Sequence, residues 1–524
     1  MKIFNSILLS SFLLSFSCQS IQEYNASLQK PIQPDQLRKD IDYGYTKLKK
    51  LHPKLYWYIS KEKLDYKFDS LKKSIQQPMT GKEFYFKFSE VTRVIGQGHL
   101  GISPSLNKLT KTENLALKKK GKGPFSQLEF EIFDHKLFLI KDKSRNQWSS
   151  VNEVIEINNQ PASELISKFT KRLASDGYNT TFFPHFVGKQ FGTFYTYENG
   201  IKDSIQLKLK LKEKDTLLVV RRDTFGTNEK KVLLSKKEKR KEELEKRKVG
   251  FDKDLKSNMR ELTFLKQDSS VALLTIRGFR NGDFTSFYNE TFDSLKKQNT
   301  KTLIIDLRNN PGGRLMEIDY LYSFLVDKPY KFVEDYEVVS RTSKLHVDYF
   351  KGGGIIFKTL KIIAAPFYYS INYLKVRKEE DKYLYATRFS KERQPKPNHF
   401  DGKLYVLING GSFSASSIIS SKLKGTNRAY FVGEETGGAY NGTVAAQMPL
   451  VTLPNSKVNM RVGLALVAAF EKSDVEGRGV FPDKVIIPTV EDRIKKVDPE
   501  LNWIIDDIKR EKEVKQLLQE NFNK

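Results

Sequence analysis

The stretch LYVLINGGSFSASSI, residues 404–418, restricts this chain more than any other segment. Leu404, Val406 and Ile408 lie in a short apolar run suited to a buried strand. Gly410 and Gly411 permit a tight turn, and Ala415 to Leu423 reads as a helix with a serine-rich first turn. Such a corner belongs in a sheet with helices packed against it. It can also present a serine hydroxyl beside backbone N–H groups, which is what an acyl-transfer transition state needs. A plain serine-rich helix cap accounts for the same residues, so the rest of the chain has to decide.

The surrounding pattern extends the corner into a βα series. From about Leu262, strands and helices alternate: VALLTIRGF, a helix to Lys297, TLIIDLR, and a helix from Met316. That order predicts a mixed or parallel sheet. An insertion at roughly 330–400 interrupts it and carries GGG at 352–354 and an apolar run, Ile362 to Leu374, preceded by Lys358 and Lys361. The run is short for a membrane span. Burial against the main domain is the expectation; docking on a membrane surface or shaping a substrate cleft are the alternatives.

Upstream, Pro34 to Gln97 has apolar residues at helical spacing, and the region closes on GQGHLG. Residues 19–30 read as a tether. Short alternating runs over 124–225 predict a β-rich unit with one helix near Ala162 to Leu173. Between Lys230 and Lys248, ten Lys/Arg stand against four Glu, which fits a solvated helix or linker, or a patch for an anionic surface. The expected division is 1–18 signal peptide, 19–110 helical, 115–228 β-rich, 229–258 charged linker or helix, 259–495 core, and 496–524 a C-terminal helix.

The net charge of +27 is spread along the chain and suits anionic surfaces or solubility. No nucleic-acid reading module with aromatics placed for stacking accompanies it, so no nucleic-acid partner is expected. Lys2, the apolar run Ile7 to Phe16 and then Cys18 have the layout of a secretory signal. Leu14-Ser15-Phe16-Ser17-Cys18 resembles a lipobox, although its leucine sits one position too far upstream. Lipidation at Cys18, the single cysteine, would place an exported protein in the cell envelope, in the periplasm or at the outer membrane. A processed chain would then contain no disulfide.

Three more segments bear on the serine corner. IIDLRNNPGG (304–313) runs a strand into a glycine turn that allows close backbone approach. His99 stands between Gly98 and Leu100 at the edge of the helical region, and Glu476 precedes a glycine-rich turn in VEGRGVFPD. Each has an ordinary structural explanation alone. Together, and with VGEETGG at 432–438, they resemble the C-terminal-processing (tail-specific) serine peptidase family, over roughly 260–490. EVIEINNQPASELI resembles that family's degenerate PDZ-like domain.

The resemblance implies an α/β fold with a ClpP/crotonase-like mixed βα core, an N-terminal helical domain and a PDZ-like β-rich domain. It implies a serine endopeptidase acting on a peptide or protein substrate, without metal or organic cofactor. The position at which one branch of the family carries a catalytic lysine is Ala439 here, and Lys422 and Lys424 should point away from the corner. The tricorn-core-like branch uses serine, histidine and glutamate, which selects Ser414 as nucleophile, His99 as base and Glu476 as its orienting carboxylate. Gln97 and Leu100 depart from the Asp and Thr of the usual histidine motif. Family alignment alone chooses Ser414 over Ser412, a turn residue, and Ser416, placed for capping. The oxyanion would be held by the N–H of Ala415 with that of Gly312 or Gly313. With an ordinary imidazole, activity would fall below about pH 6.5. A non-catalytic protein binding peptides or lipophilic ligands on the same scaffold is the alternative function.

Overall fold

The apolar runs of the βα region become adjacent strands in the computed structural model, which describes residues 20–142, 151–211, 214–223, 235–266, 268–347 and 355–522. Six strands lie in the order Lys484–Val485, Tyr430–Gly433, Lys403–Ile408, Thr302–Asp306, Asp268–Ile276 and Arg260–Leu265. The first five are mutually parallel and the last is an antiparallel edge. The central pair is in register at Ile304 and Tyr405. Its residues are buried on both faces, as the near-continuous apolar sequence requires for a parallel sheet.

One face packs on helices Phe284–Lys297, Leu315–Tyr322 and Ala415–Gly425. The other is covered by the C-terminal helix Pro499–Phe522, whose Ile504 and Ile508 meet Val271, Ile304, Tyr405 and Leu407. Arg308, from the IDLR segment, fixes that helix. Its guanidinium donates from both Nη atoms to Asp498 (2.8 Å each) and also reaches Asp306 (2.7 Å). A bidentate pair of this kind sets angle as well as position.

The N-terminal helices do not close a core alone. Pro34–Leu51, Lys61–Ser74 and Gly81–Thr92 share theirs with Val451, Leu453, Val458 and Met460 from a far downstream hairpin. The short strand Gly101–Ser103 pairs with Asn459–Arg461, which pairs with Leu450–Thr452. The buried Asp40 carboxylate accepts from the backbone N–H groups of Asn455 (2.9 Å) and Ser456 (2.6 Å). Helical region and core are therefore stitched together at the point where GQGHLG ends. Residues 21–29, expected as a tether, form a helix with a Ser20/Glu23 capping box.

The 128–221 region is an antiparallel sheet carrying two helices rather than one: Ala162–Thr170 and Phe182–Asn199. The second was hidden by its aromatic composition, which favours strands by propensity; Phe191, Val187 and Tyr195 bury it against the sheet. The charged run forms a helix, Lys236–Val249, ended by Gly250 in the left-handed region (φ 69°).

The insertion contributes strands Tyr336–Val338, Val376–Glu379 and Lys382–Tyr385. They extend a sheet that contains Ala465–Val467 and Thr443–Ala445. Its helix, Ile355–Leu374, is not buried as expected. Of its described side chains only Ala365 and Asn372 are buried. No helix among the described residues is long and apolar enough to cross a membrane. Cys18 and the rest of 1–19 lie outside the described residues.

Candidate active site

Ser414 ends the turn after strand Lys403–Ile408 and stands at the N-cap of helix Ala415–Gly425. Its backbone is in a region that L-residues rarely enter, φ 59° and ψ −119°. A conformation of this type costs about 1–3 kcal/mol and persists only where its surroundings enforce it. Here they do. The Phe413 N–H donates to Asn310 O (3.0 Å) and the Ile418 N–H to Ser414 O (3.0 Å). A Cβ on Gly312, itself at φ 92°, would sit 2.7 Å from Ser414 Cβ and from Ala415 N, so only glycine fits against the elbow.

The neighbouring serines are structural. Ser412 Oγ donates to Leu307 O (2.7 Å), and Ser417 Oγ to Ser412 O (3.0 Å). Ser416, expected to cap, makes no capping bond; its hydroxyl is buried with no partner among the described residues.

His99 is brought to this elbow by the pairing of Gly101–Ser103 with Asn459–Arg461. Its Nε2 lies 3.0 Å from Ser414 Oγ, and its ring stacks on Phe413 with centroids 4.9 Å apart. A Cβ on Gly98 would fall 2.6 Å from the Phe413 ring, so the glycine before the histidine is what lets the ring approach.

The other face of the imidazole holds what the sequence did not reveal. His99 Nδ1 lies 2.9 Å from Thr443 Oγ1. Beyond Thr443 stands the buried carboxyl of Asp176, whose Oδ1 accepts from the Gly98 N–H (2.8 Å) and whose Oδ2 has no hydrogen-bond partner among the described residues. The directions close without conflict. With Ser414 O–H donating to Nε2, Nδ1–H donates to Thr443 Oγ1, and the Asp176 carboxyl stands near that hydroxyl. This assigns the tautomer through the network. No motif marks either residue; Asp176-Gly177 reads only as a turn, and Thr443 as one more residue of a glycine-rich segment.

Glu476, expected to orient His99, is not brought to it. Its carboxylate is exposed and accepts from Asn441 Nδ2 (2.8 Å), while Thr443 occupies Nδ1 of His99. The carboxylate behind the imidazole is Asp176 instead.

The oxyanion donors also divide. The Gly312 N–H donates to Asn310 Oδ1 (2.9 Å) inside its own turn, which leaves Gly313 and Ala415 as the candidate N–H pair. Gly313 lies in the bridge to Phe279, whose carbonyl accepts from Arg314 N–H (2.7 Å). Ala439 stands beside Gly479. Lys422 is buried against Glu471, and Lys424 pairs with Asp483, so neither amine serves Ser414.

Burial controls the protonation of the site. It pushes the His99 imidazole down to about 3, with the nearby Arg461 adding in the same direction. Burial raises the Asp176 carboxyl to about 6, partly offset by the Gly98 N–H and the Thr443 hydroxyl. The imidazole is thus neutral, and competent as a base, across the physiological range. No group of three or more metal-ligating side chains occurs among the described residues.

Comparison with known proteins bears on the core and the fold. Residues 270–486 match the family model described as Peptidase family S41. A probable CtpA-like serine protease of Staphylococcus aureus strain N315 is 25% identical over 173 residues, 33% of this chain and 26% of the relative. A carboxy-terminal-processing protease of Bartonella bacilliformis is 29% identical over 122 residues, 23% of this chain and 25% of the relative. The chain thus spans about a quarter of the length of these curated relatives. The structure of mature CPAF complexed with lactacystin superposes with a TM-score of 0.57 at 14% identity, over 91% of this chain and 98% of that one, which establishes a shared fold. The resemblance to peptidase family S41 therefore lies in the core, residues 270–486.

Proposed function

We propose that this protein is a serine endopeptidase of the tail-specific type, hydrolysing peptide bonds through an acyl-enzyme on Ser414. The observation that carries the reading is the 3.0 Å approach of neutral His99 Nε2 to the hydroxyl of a serine held at φ 59°.

In the acylation step Ser414 Oγ attacks the scissile carbonyl carbon while its proton passes to His99 Nε2. The oxyanion forms against the N–H groups of Ala415 and Gly313. Losing one donor of this kind costs about 3 kcal/mol of transition-state stabilisation. The imidazolium created in a buried site needs a compensating charge, and ionised Asp176 supplies it through Thr443. Collapse of the tetrahedral intermediate breaks the C–N bond as Nε2–H protonates the leaving amine. A water, deprotonated by His99, then releases the acyl group.

The N-terminal sequence supports export and lipidation at Cys18, hence a periplasmic or outer-membrane setting with peptide or protein substrates. The middle sheet with its two helices fits the PDZ-like role suggested by the EVIEINNQPASELI segment.

A fluorophosphonate probe tests the function. Ser414 Oγ should form an O–P bond with loss of fluoride, read as a single adduct by mass spectrometry and absent in Ser414→Ala. A folded protein that takes no adduct would favour a ligand-binding role on the same scaffold.

A further inference from the structure

The helix Ile355–Leu374 in the insertion presents an apolar face that the protein itself leaves open. Phe357, Leu360, Ala364, Phe367, Ile371 and Leu374 recur at spacings of three and four, which places them on one side. All are exposed, Phe367 at 72% and Leu374 at 80%. Among the described side chains of the helix only Ala365 and Asn372, away from that face, are buried, and Ile362 and Ile363 are exposed as well.

The charges on the helix and just after it have one sign. Between Ile355 and Lys378 the sequence has no Asp or Glu and carries Lys358, Lys361, Lys375, Arg377 and Lys378. Arg377 is satisfied by Asp335 and Glu379. At the foot of the helix a groove of about 440 Å³ is lined by Arg341, Lys344, Leu345, Tyr373 and Leu374, among others. It brings two cations next to the apolar edge. The acidic triplet Glu379, Glu380 and Asp381 lies at the turn of the following hairpin, where Asp381 lines a separate cleft with Lys49 and Trp57.

We propose that this helix is an interfacial membrane element, lying in the plane of an anionic lipid surface with Phe367 and Leu374 among the acyl chains and the flanking lysines on lipid phosphates. A lipid-facing helix needs this combination: an apolar face on a helix broken by charge and so not apolar enough to span, long aromatic and aliphatic side chains, and flanking cations. A second copy of the chain is the other possible cover. Two such faces packed together would juxtapose lysines of like charge with no carboxylate on the helix to offset them. Charge complementarity therefore selects the anionic surface. The inference is independent of the chemistry at Ser414 and of a lipid on Cys18.

Because Cys18 is the single cysteine, the full chain carrying Cys18→Ser and Phe367→Cys accepts one environment-sensitive NBD fluorophore on the outer face. Lys297→Cys in the same background, on an exposed helix end of the core, gives the control. With vesicles of phosphatidylcholine and phosphatidylglycerol, emission at position 367 should rise several-fold and shift to the blue, while position 297 stays unchanged. Phosphatidylcholine alone should give a smaller response. Lys358→Gln, Lys375→Gln and Lys378→Gln should each weaken the apparent vesicle affinity about fivefold. An unchanged signal at 367 on the anionic vesicles, or an equal rise at 297, would overturn the proposal. So would a rise without vesicles that grows with protein concentration, which would mean that a second copy covers the face.

Discussion

The two halves of the candidate site are built in different ways. Ser414 is positioned by contiguous sequence: one strand, one glycine turn and one helix, with the Asn-Pro-Gly-Gly turn of the adjacent strand closing behind it. His99 is positioned by three segments distant from it in the chain. Gly101–Ser103 pairs with Asn459–Arg461, Thr443 bonds Nδ1, and Asp176, close to Thr443, accepts from the Gly98 N–H. Ser414 depends on local backbone geometry and His99 on docking. A perturbation of the sheet should damage both, while a perturbation of the N-terminal helices should reach the base alone.

The largest expected effects break both halves. Ser414→Ala or His99→Ala should lower kcat on the order of 10⁴-fold or more, with the fold retained by circular dichroism. If either variant keeps activity within tenfold of the parent, the pairing is not the catalytic one.

The next effects separate the carboxylates behind the imidazole. Asp176→Asn and Thr443→Val should each reduce kcat by about 10²-fold or more, because the imidazolium loses its compensating charge or its link to it. Glu476→Gln should stay within a few-fold of the parent. The reverse order would return the orienting role to Glu476.

A pH profile sharpens the same point. His99, held at about 3, does not gain a proton above about pH 4. Asp176, raised to about 6, becomes neutral as the pH falls through that value and can no longer offset an imidazolium. Activity should therefore step down near pH 6, and the step should vanish in Asp176→Asn. A step that survives in that variant would assign the titration to the histidine.

Two buried histidines should make stability fall with acid, where an ordinary surface histidine would leave it unchanged. His52 and His99 are both buried and held at about 3, below the 6.5 of the unfolded chain. Between those values the unfolded state binds more protons, so stability at neutral pH is lost as pH falls. Urea midpoints measured from pH 7 to 4 should decline, and less steeply in a His52→Phe variant.

The smallest expected effect probes docking. Asp40→Ala removes the acceptor for Asn455 and Ser456 N–H, leaving buried donors at a cost of about 1–3 kcal/mol each. A lowered denaturation midpoint, with adduct formation on the folded fraction slowed a few-fold as the docking of His99 loosens, is the expected result.

Much of this was legible in the residues. The strand–glycine–serine–helix succession marked the elbow, and the alternating apolar runs marked the parallel sheet, because both signals are local. The helix Phe182–Asn199 was not legible, since Phe182, Phe183, Phe186 and Tyr195 read as strand formers until tertiary packing overrides propensity. The pairing of Thr443 with Asp176 has no periodicity or spacing to betray it; it exists only once two distant loops meet at His99. The insertion helix misled for the opposite reason. Its apolar composition implied burial, but composition does not say whether the apolar partner is the protein or something outside it.

The most direct test is the rate at which Ser414 is phosphonylated by a fluorophosphonate in the parent, His99→Ala, Asp176→Asn and Glu476→Gln, followed by intact mass and peptide mapping. The structure predicts one adduct on Ser414, forming equally fast in the parent and Glu476→Gln, markedly slower in Asp176→Asn, and not at all on that timescale in His99→Ala. Labelling of His99→Ala at the parental rate, or an adduct on another residue, would contradict a serine activated by a histidine that Asp176 supports through Thr443.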